Sequence, residues 1–339
     1  MTPMIILGTD EAGYGPNLGP LVVSLTVWKA DAEDLSLLFE PLSQAGISVG
    51  DSKKLYQGGS LAALETGVLV PLRFLERDAA PSTPVERAGT REEGIVKTQA
   101  ALTPALIPAL TPALSQRERG RGGERGRERE RGREGERGKE RKKEREQRID
   151  CLVPQFAEIL RQYRVRLLDM QSRSIEPEEF NRLLDRFGSK GSLLSDVTLR
   201  LIADELATHA QDHVLVLCDK HGGRNRYLDL LTEFFAGEFI QVIQESRESS
   251  IYRVVSEDRR WEFRFVAKGE VHLPIALASM LSKYYRELAM LRFNAFWQDQ
   301  VPGLQPTAGY PEDAKRFKRQ IAAAQERLGI ADENLWRKR

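Results

Sequence analysis

Four acidic residues stand where acids are costly to keep. Asp10 and Glu11 follow the apolar run Ile5-Ile6-Leu7-Gly8-Thr9 and precede Gly13 and Gly15. Asp219 follows Val214-Leu215-Val216-Leu217-Cys218, and Glu270 comes just after Trp261 to Ala267, beside Gly269. A carboxylate at the end of a buried strand loses solvation that a metal, a cation or water must return. Several carboxylates at one sheet edge raise each other's pKa by repulsion unless cations sit between them. All-oxygen donors suit Mg²⁺ or Mn²⁺, and two such ions about 4 Å apart can flank a phosphodiester during in-line attack. No histidine or cysteine is placed to act as a nucleophile beside these acids, so the chemistry implied is activation of water. An isolated acidic pair at a strand end reads more readily as a solvated turn. The glycines after Glu11 and the two later acids favour a site.

These acids need a scaffold. On a strand Asp10 and Glu11 point to opposite faces unless the chain bends. Gly13 and Gly15 supply a bend and let a ligand approach the backbone. Val22 to Trp28 is predicted to pair back on the first strand. Helices are predicted over residues 61–75, 153–163, 192–208 and 226–235, and strands over 164–170, 214–217 and 239–243. Residues 252–257 and 261–267 read as a hairpin. The expected fold class is α/β, a mixed sheet flanked by helices on both faces. If the strands ending at Asp10 and Asp219 are parallel neighbours, both carboxylates emerge at one edge, where such folds place sites. The helix expected after Glu270 has an apolar stripe, Leu277, Leu281, Tyr284, Leu288 and Leu291. Ser279, Lys283 and Arg286 form a second stripe, which suits either a phosphate backbone or a solvated face.

The chain has 339 residues, enough for one large domain or two ordinary ones. Two cysteines make no disulfide framework and point to a reducing compartment, and four histidines form no cluster. No signal peptide or membrane-length apolar stretch is apparent, so the protein is expected to be cytoplasmic and monomeric, with no membrane partner. Its net charge of +1 is uneven. Residues 115–148 carry 15 basic and 9 acidic side chains, which leaves the rest of the chain acidic. That tract follows Thr103-Pro104-Ala105-Leu106 and two similar four-residue repeats. Nothing in it repays the entropy of ordering, so residues 100–148 are expected to be a disordered insert. It reads either as a tolerated loop expansion or as a basic arm with phosphate affinity. Residues 1–99 and 149–339 then form the folded body, with a C-terminal helical part from about residue 290 to 339.

Gly8-Thr9-Asp10-Glu11-Ala12-Gly13-Tyr14-Gly15-Pro16, followed by Leu18-Gly19-Pro20, resembles the N-terminal signature of type 2 ribonucleases H, the ribonuclease HII-like family. Asp51-Ser52-Lys53-Lys54-Leu55, Cys218-Asp219, Lys268-Gly269-Glu270, Ala278-Ser279-Met280-Leu281-Ser282-Lys283 and Gly309-Tyr310-Pro311 resemble its later motifs, in order. The resemblance implies an RNase H-like fold and Mg²⁺- or Mn²⁺-dependent cleavage of RNA paired with DNA, in an RNA–DNA hybrid or a ribonucleotide-containing duplex. It implies Asp10, Glu11, Asp219 and Glu270 as catalytic and metal-binding residues. Gly13, Tyr14, Gly15, Lys53, Ser279, Lys283 and Tyr310 would contact nucleic acid, Lys53 at phosphate and Tyr310 by stacking on a sugar.

Three positions depart from the family. Tyr14 replaces a basic residue and cannot offer phosphate a charged fork. Glu270 stands where aspartate is usual. The stretch Lys220 to Tyr227 is longer and more basic than the family's turn. A catalytically impaired nucleic-acid-binding relative is one alternative, favoured by Tyr14 and opposed by retention of four acids. An actin-like-fold sugar kinase is another, but Tyr14-Gly15-Pro16 makes a poor phosphate cradle.

Overall fold

The computed structural model describes residues 3–56, 61–78, 95–96, 125–210, 212–256 and 259–338. Strands β1 (Met4–Ala12) and β2 (Leu21–Ala30) come first. Helices α1 (Phe39–Gln44), α2 (Ser52–Leu55) and α3 (Ala62–Asp78), a two-residue β3 (Ile95–Val96) and α4 (Arg125–Gln162) follow. Next come β4 (Arg166–Ile175), α5 (Pro177–Phe187), α6 (Lys190–Thr208), β5 (His213–Asp219) and α7 (Leu228–Phe234). The chain continues with β6 (Ile240–Glu245), β7 (Ser249–Val255), β8 (Arg260–Val266), α8 (Leu273–Gln300) and α9 (Pro311–Leu328).

The strands form one sheet in the order β3-β4-β2-β1-β5-β8-β7-β6. β1 is antiparallel to β2 and parallel to β5, which is parallel to β8. The five central strands, β4-β2-β1-β5-β8, have the RNase H-like arrangement. Their mixed pairing, with helices on both faces, is the α/β class expected from sequence.

β1 explains why its apolar run does not alternate. Ile5, Ile6 and Leu7 are all buried, Ile6 in one core and Ile5 and Leu7 in the other. A strand covered on both faces reads as a continuous apolar run. The Ile6 core is closed by α3, α4 and α8, and the opposite core by α6 and α7. Each fully buried Leu, Ile or Phe in these cores contributes about 1.5–3 kcal/mol. α8 lies so close to β1 that a Cβ at Gly8 would run into the Pro274 carbonyl. That close approach brings the first turns of α8 up against the acidic end of β1. The far half of α8 leaves the sheet: Leu291 is exposed, and Met290, Phe293 and Trp297 pack with α9 in a third core.

The insert differs from expectation in part. Residues 100–124 lie outside the described residues. From Arg125 the chain is helical, so residues 125–148 are the start of α4 and not structureless. Arginine and glutamate are good helix formers and alternate there so that opposite charges fall mostly at i,i+3, while the packed end of α4 anchors the rest. Arg145 pairs with Glu65 of α3 at 2.9 Å, and Ile149 enters the core. No helix among the described residues is long and apolar enough to cross a membrane.

Candidate active site

Parallel pairing of β1 with β5 aligns Thr9 with Cys218, so Asp10 and Asp219 stand side by side at one sheet edge. The Asp10 carboxylate accepts the Glu11 backbone N–H at 2.8 Å. Asp219 accepts the Gly269 N–H at 2.9 Å, tying β5 to the turn that carries Glu270. Glu270 does not close a strand. β8 stops at Val266, Lys268 turns the chain with φ of 59°, and Glu270 sits in a 3₁₀ turn, Gly269–Val271.

α8 supports these acids from below. The Ser279 hydroxyl is near enough to Asp10 to lower its pKa and lies 3.0 Å from the Ser52 hydroxyl. Ser282 Oγ lies 3.0 Å from the Asp10 carbonyl oxygen and 2.7 Å from Ser24 Oγ. Asp51 caps α2 by accepting the Lys53 and Lys54 N–H groups at 3.0 and 3.3 Å. This cap leaves Lys53 exposed beside Glu11 and Asp219, where its charge lowers both of their pKa values.

Burial dominates the electrostatics. It raises the Asp10 pKa to about 7, with Ser279 opposing and Asp219 and Glu270 adding repulsion. Burial and then Asp10 hold Glu11 well above the usual carboxylate range. Asp219 is raised by burial, partly offset by the Gly269 N–H. Repelling carboxylates of this kind suit a hard divalent cation by donor type. Among the described residues, however, no group of three or more His, Cys, Asp or Glu is arranged to hold a metal ion.

Its solved neighbours are ribonucleases H. The RNase HII in a complex with PCNA from Archaeoglobus fulgidus is 14% identical, over 99% of this chain and 95% of that one, with a TM-score of 0.38. Ribonuclease H2 from Pyrococcus horikoshii OT3 is 14% identical over 98% and 92%, with a TM-score of 0.38. Bst-RNase HIII in complex with Mn²⁺ is 17% identical over 98% of this chain and 66% of that one, with a TM-score of 0.40. No family model matches the sequence, and no curated protein matches it. The functional reading therefore rests on the residues.

The glycine loop lies beside the acids. Gly13 has φ of 91°, and a Cβ there would run into the Pro20 carbonyl oxygen, so only glycine makes this bend. The Tyr14 hydroxyl reaches toward Gly222, and Arg224 is close enough to lower its pKa against the larger effects of burial and Glu11. Tyr310, 54% exposed, stands beside Gly15 at the N-terminus of α9. The Asn17 and Leu18 N–H groups donate to the Gly309 carbonyl at 2.8 and 3.3 Å, joining these two distant motifs.

Some expected contacts face elsewhere. Ser279 is buried beneath Asp10, and Arg286 is buried below the loop. Lys283 donates to Glu287 at 2.8 Å and lies 4.4 Å above the Tyr56 ring. The basic stretch after Asp219 is not a solvated loop at its start. Lys220 is buried and donates to the Ser246 carbonyl at 2.8 Å and to Asn225 and Ser250 at 3.0 Å. His221 lies 3.0 Å from the Ser195 hydroxyl, and burial, then Arg224, push its pKa down to about 3. Only Arg224 and Arg226 are left to face outward. Sequence reading gave no role to Ser52, Ser282 or His221 and took Lys220 only as part of a basic stretch, because short polar and basic residues carry no sign of which face they take.

Proposed function

We propose that the protein is a metal-dependent endoribonuclease that hydrolyses the RNA strand of RNA–DNA hybrids. One observation carries this reading: partly buried carboxylates of two parallel strands, Asp10, Glu11 and Asp219, have raised pKa values beside Glu270 of an adjoining turn, an exposed lysine and a glycine loop. Asp10, Glu11, Asp219 and Glu270 are the residues that would hold Mg²⁺ or Mn²⁺. Such ions, when bound, activate a water and neutralise charge on the phosphate.

The chain's own residues do the rest. Ser279 and the Glu11 N–H orient Asp10, and the Gly269 N–H orients Asp219. Lys53 would meet a phosphate oxygen, and the backbone of Gly13, Tyr14 and Gly15 would line the strand. Tyr310 would stack on the sugar or base of the cut strand. Lys283 would act by holding Glu287 in place, and Ser279 through Asp10.

The test is cleavage of a labelled RNA–DNA hybrid with and without Mg²⁺ or Mn²⁺. Cleavage should require a divalent ion, and Asp219→Asn should reduce it by about 10³-fold or more. Full activity in that variant would overturn the assignment. Tyr14 and the open arrangement of the acids favour a second reading, a relative that binds hybrid without cutting it. Binding with no cleavage under either metal would establish that reading instead.

A further inference from the structure

Two guanidinium groups lie buried beneath the glycine loop, one from α8 and one from the C-terminal run Arg337-Lys338-Arg339. Arg286 is 2% exposed and Arg337 is 0% exposed. Arg337 Nη2 donates to the Gly13 carbonyl at 2.6 Å and also to the Pro16 carbonyl. The Arg337 backbone N–H donates to the Asn17 carbonyl at 2.9 Å, and its own carbonyl accepts the Asn17 side-chain amide at 3.1 Å. Its guanidinium carbon lies 4.6 Å from the centre of the Phe180 ring. Arg286 approaches the same loop, with Cδ and Nε 2.9 Å from where a Cβ at Gly13 would stand.

Arg286 is paired with Glu287 at 2.9 Å, but the Arg337 charge is poorly compensated. Nε of both residues and Nη1 of Arg337 have no acceptor. Arg286 donates to Glu287, which also takes Lys283 and Tyr56. Burial, with Arg286 nearby, pulls the Arg337 pKa down to about 9, and Glu176 opposes this only in part. Buried charge paired this poorly is a weak device for stability, and an apolar side chain of similar size would suit the same space better. What an apolar side chain cannot do is hold two loop carbonyls and place positive charge under the loop.

We propose that Arg337 is a positioning residue for the glycine loop, holding the Gly13 and Pro16 carbonyls inward. With Arg286 it supplies from below the positive charge that Tyr14, on the loop itself, does not carry. The approaching polyanion is therefore met by a loop of fixed shape in a positive field. Its field effect rests on the nucleic-acid reading given above, whereas its hold on the loop does not.

The full chain serves for the test, as Arg337→Met and Arg337→Lys, with Ile321→Ala in the C-terminal core as a control for lost stability. Amide hydrogen exchange is followed across residues 13–19, and binding of an RNA–DNA hybrid is measured in chelator. Arg337→Met should exchange at least tenfold faster in the loop and bind hybrid at least fivefold more weakly. Arg337→Lys keeps the charge but ends one bond short of the Nη2 position that serves both carbonyls, so it should exchange faster yet retain most of the binding. If Arg337→Met does not fold, Arg337→Lys carries the exchange test alone. Loop exchange in the arginine variants no faster than in Ile321→Ala, at equal loss of melting temperature, overturns the proposal. Fast loop exchange in a protein whose wild type binds no hybrid would support the positioning role and remove the nucleic-acid reading.

Discussion

Stripped of divalent ions, the protein should lose stability as pH rises from about 4 to 8, and Asp10→Asn should remove part of that loss, with Glu11 and Asp219 accounting for the rest. Burial holds the Asp10 pKa at about 7 against an ordinary 3.8, so the folded chain keeps a proton that the unfolded chain releases from about pH 4 upward. An acid raised in this way is neutral in both states at low pH. Its contribution is fully present there and is lost as pH climbs through the folded pKa, at about 1.4 kcal/mol per unit. Three units give about 4 kcal/mol. Asp10 is only partly buried, so water entering the mouth reduces the expected net to about 2 kcal/mol. For a domain of this size that is roughly 4–8 °C in melting temperature. Thermal melts in EDTA at pH 5 and pH 8 measure it for wild type and Asp10→Asn. Mn²⁺ added at pH 8 should restore the wild type and leave the variant unmoved. Parallel pH profiles in the two proteins would refute the burial argument, and an equal Mn²⁺ shift would remove Asp10 from the site.

Tyr14 offers one hydroxyl where a lone ribonucleotide would need several focused contacts, so initial rates at equal salt should be higher on continuous RNA–DNA hybrid than on a duplex with one ribonucleotide. Tyr14→Arg should narrow that gap, and a wild type that cuts both equally would refute the argument. Tyr310→Ala removes an exposed stacking surface and should raise KM for hybrid about tenfold with kcat little changed; an unchanged KM would exclude stacking. Replacing residues 100–139 by a short Gly/Ser bridge should leave the melting temperature within about 3 °C, because closure entropy grows only with the logarithm of loop length. A larger loss would show that this segment packs against the body.

The acids were legible because each follows a local apolar run, and parallel pairing then needs only the register Thr9 to Cys218 to bring two of them together. The partner of Gly309-Tyr310 was not legible. Its contact with Asn17 and Leu18 depends on where α8 and α9 send the chain, which no local pattern encodes. The inward course of Arg286 and Arg337 was not legible for a different reason. Cationic residues on a helix and in a tail resemble solvated ones, and only tertiary packing shows that these two run inward to loop carbonyls. Lys220 is a third such case, with its charge absorbed by oxygens from β7 and the turns around it. The turn that carries Glu270 past the end of β8 was not legible because Lys268 takes a left-handed conformation that lysine seldom adopts.

The strand order also has a kinetic side. β6, β7 and β8 are neighbours both in sequence and in the sheet, so that half can assemble through short turns. β2 and β4 cannot: Ser24 and Ser172, which share a 2.7 Å hydrogen bond across them, are 148 positions apart. Bringing such distant segments together costs about 2 kcal/mol more than closing a ten-residue loop. That cost falls before the pairing returns anything, so β2–β4 closure belongs to the slow phase of folding. Shortening the connection should therefore quicken refolding while leaving the unfolding rate almost as it was.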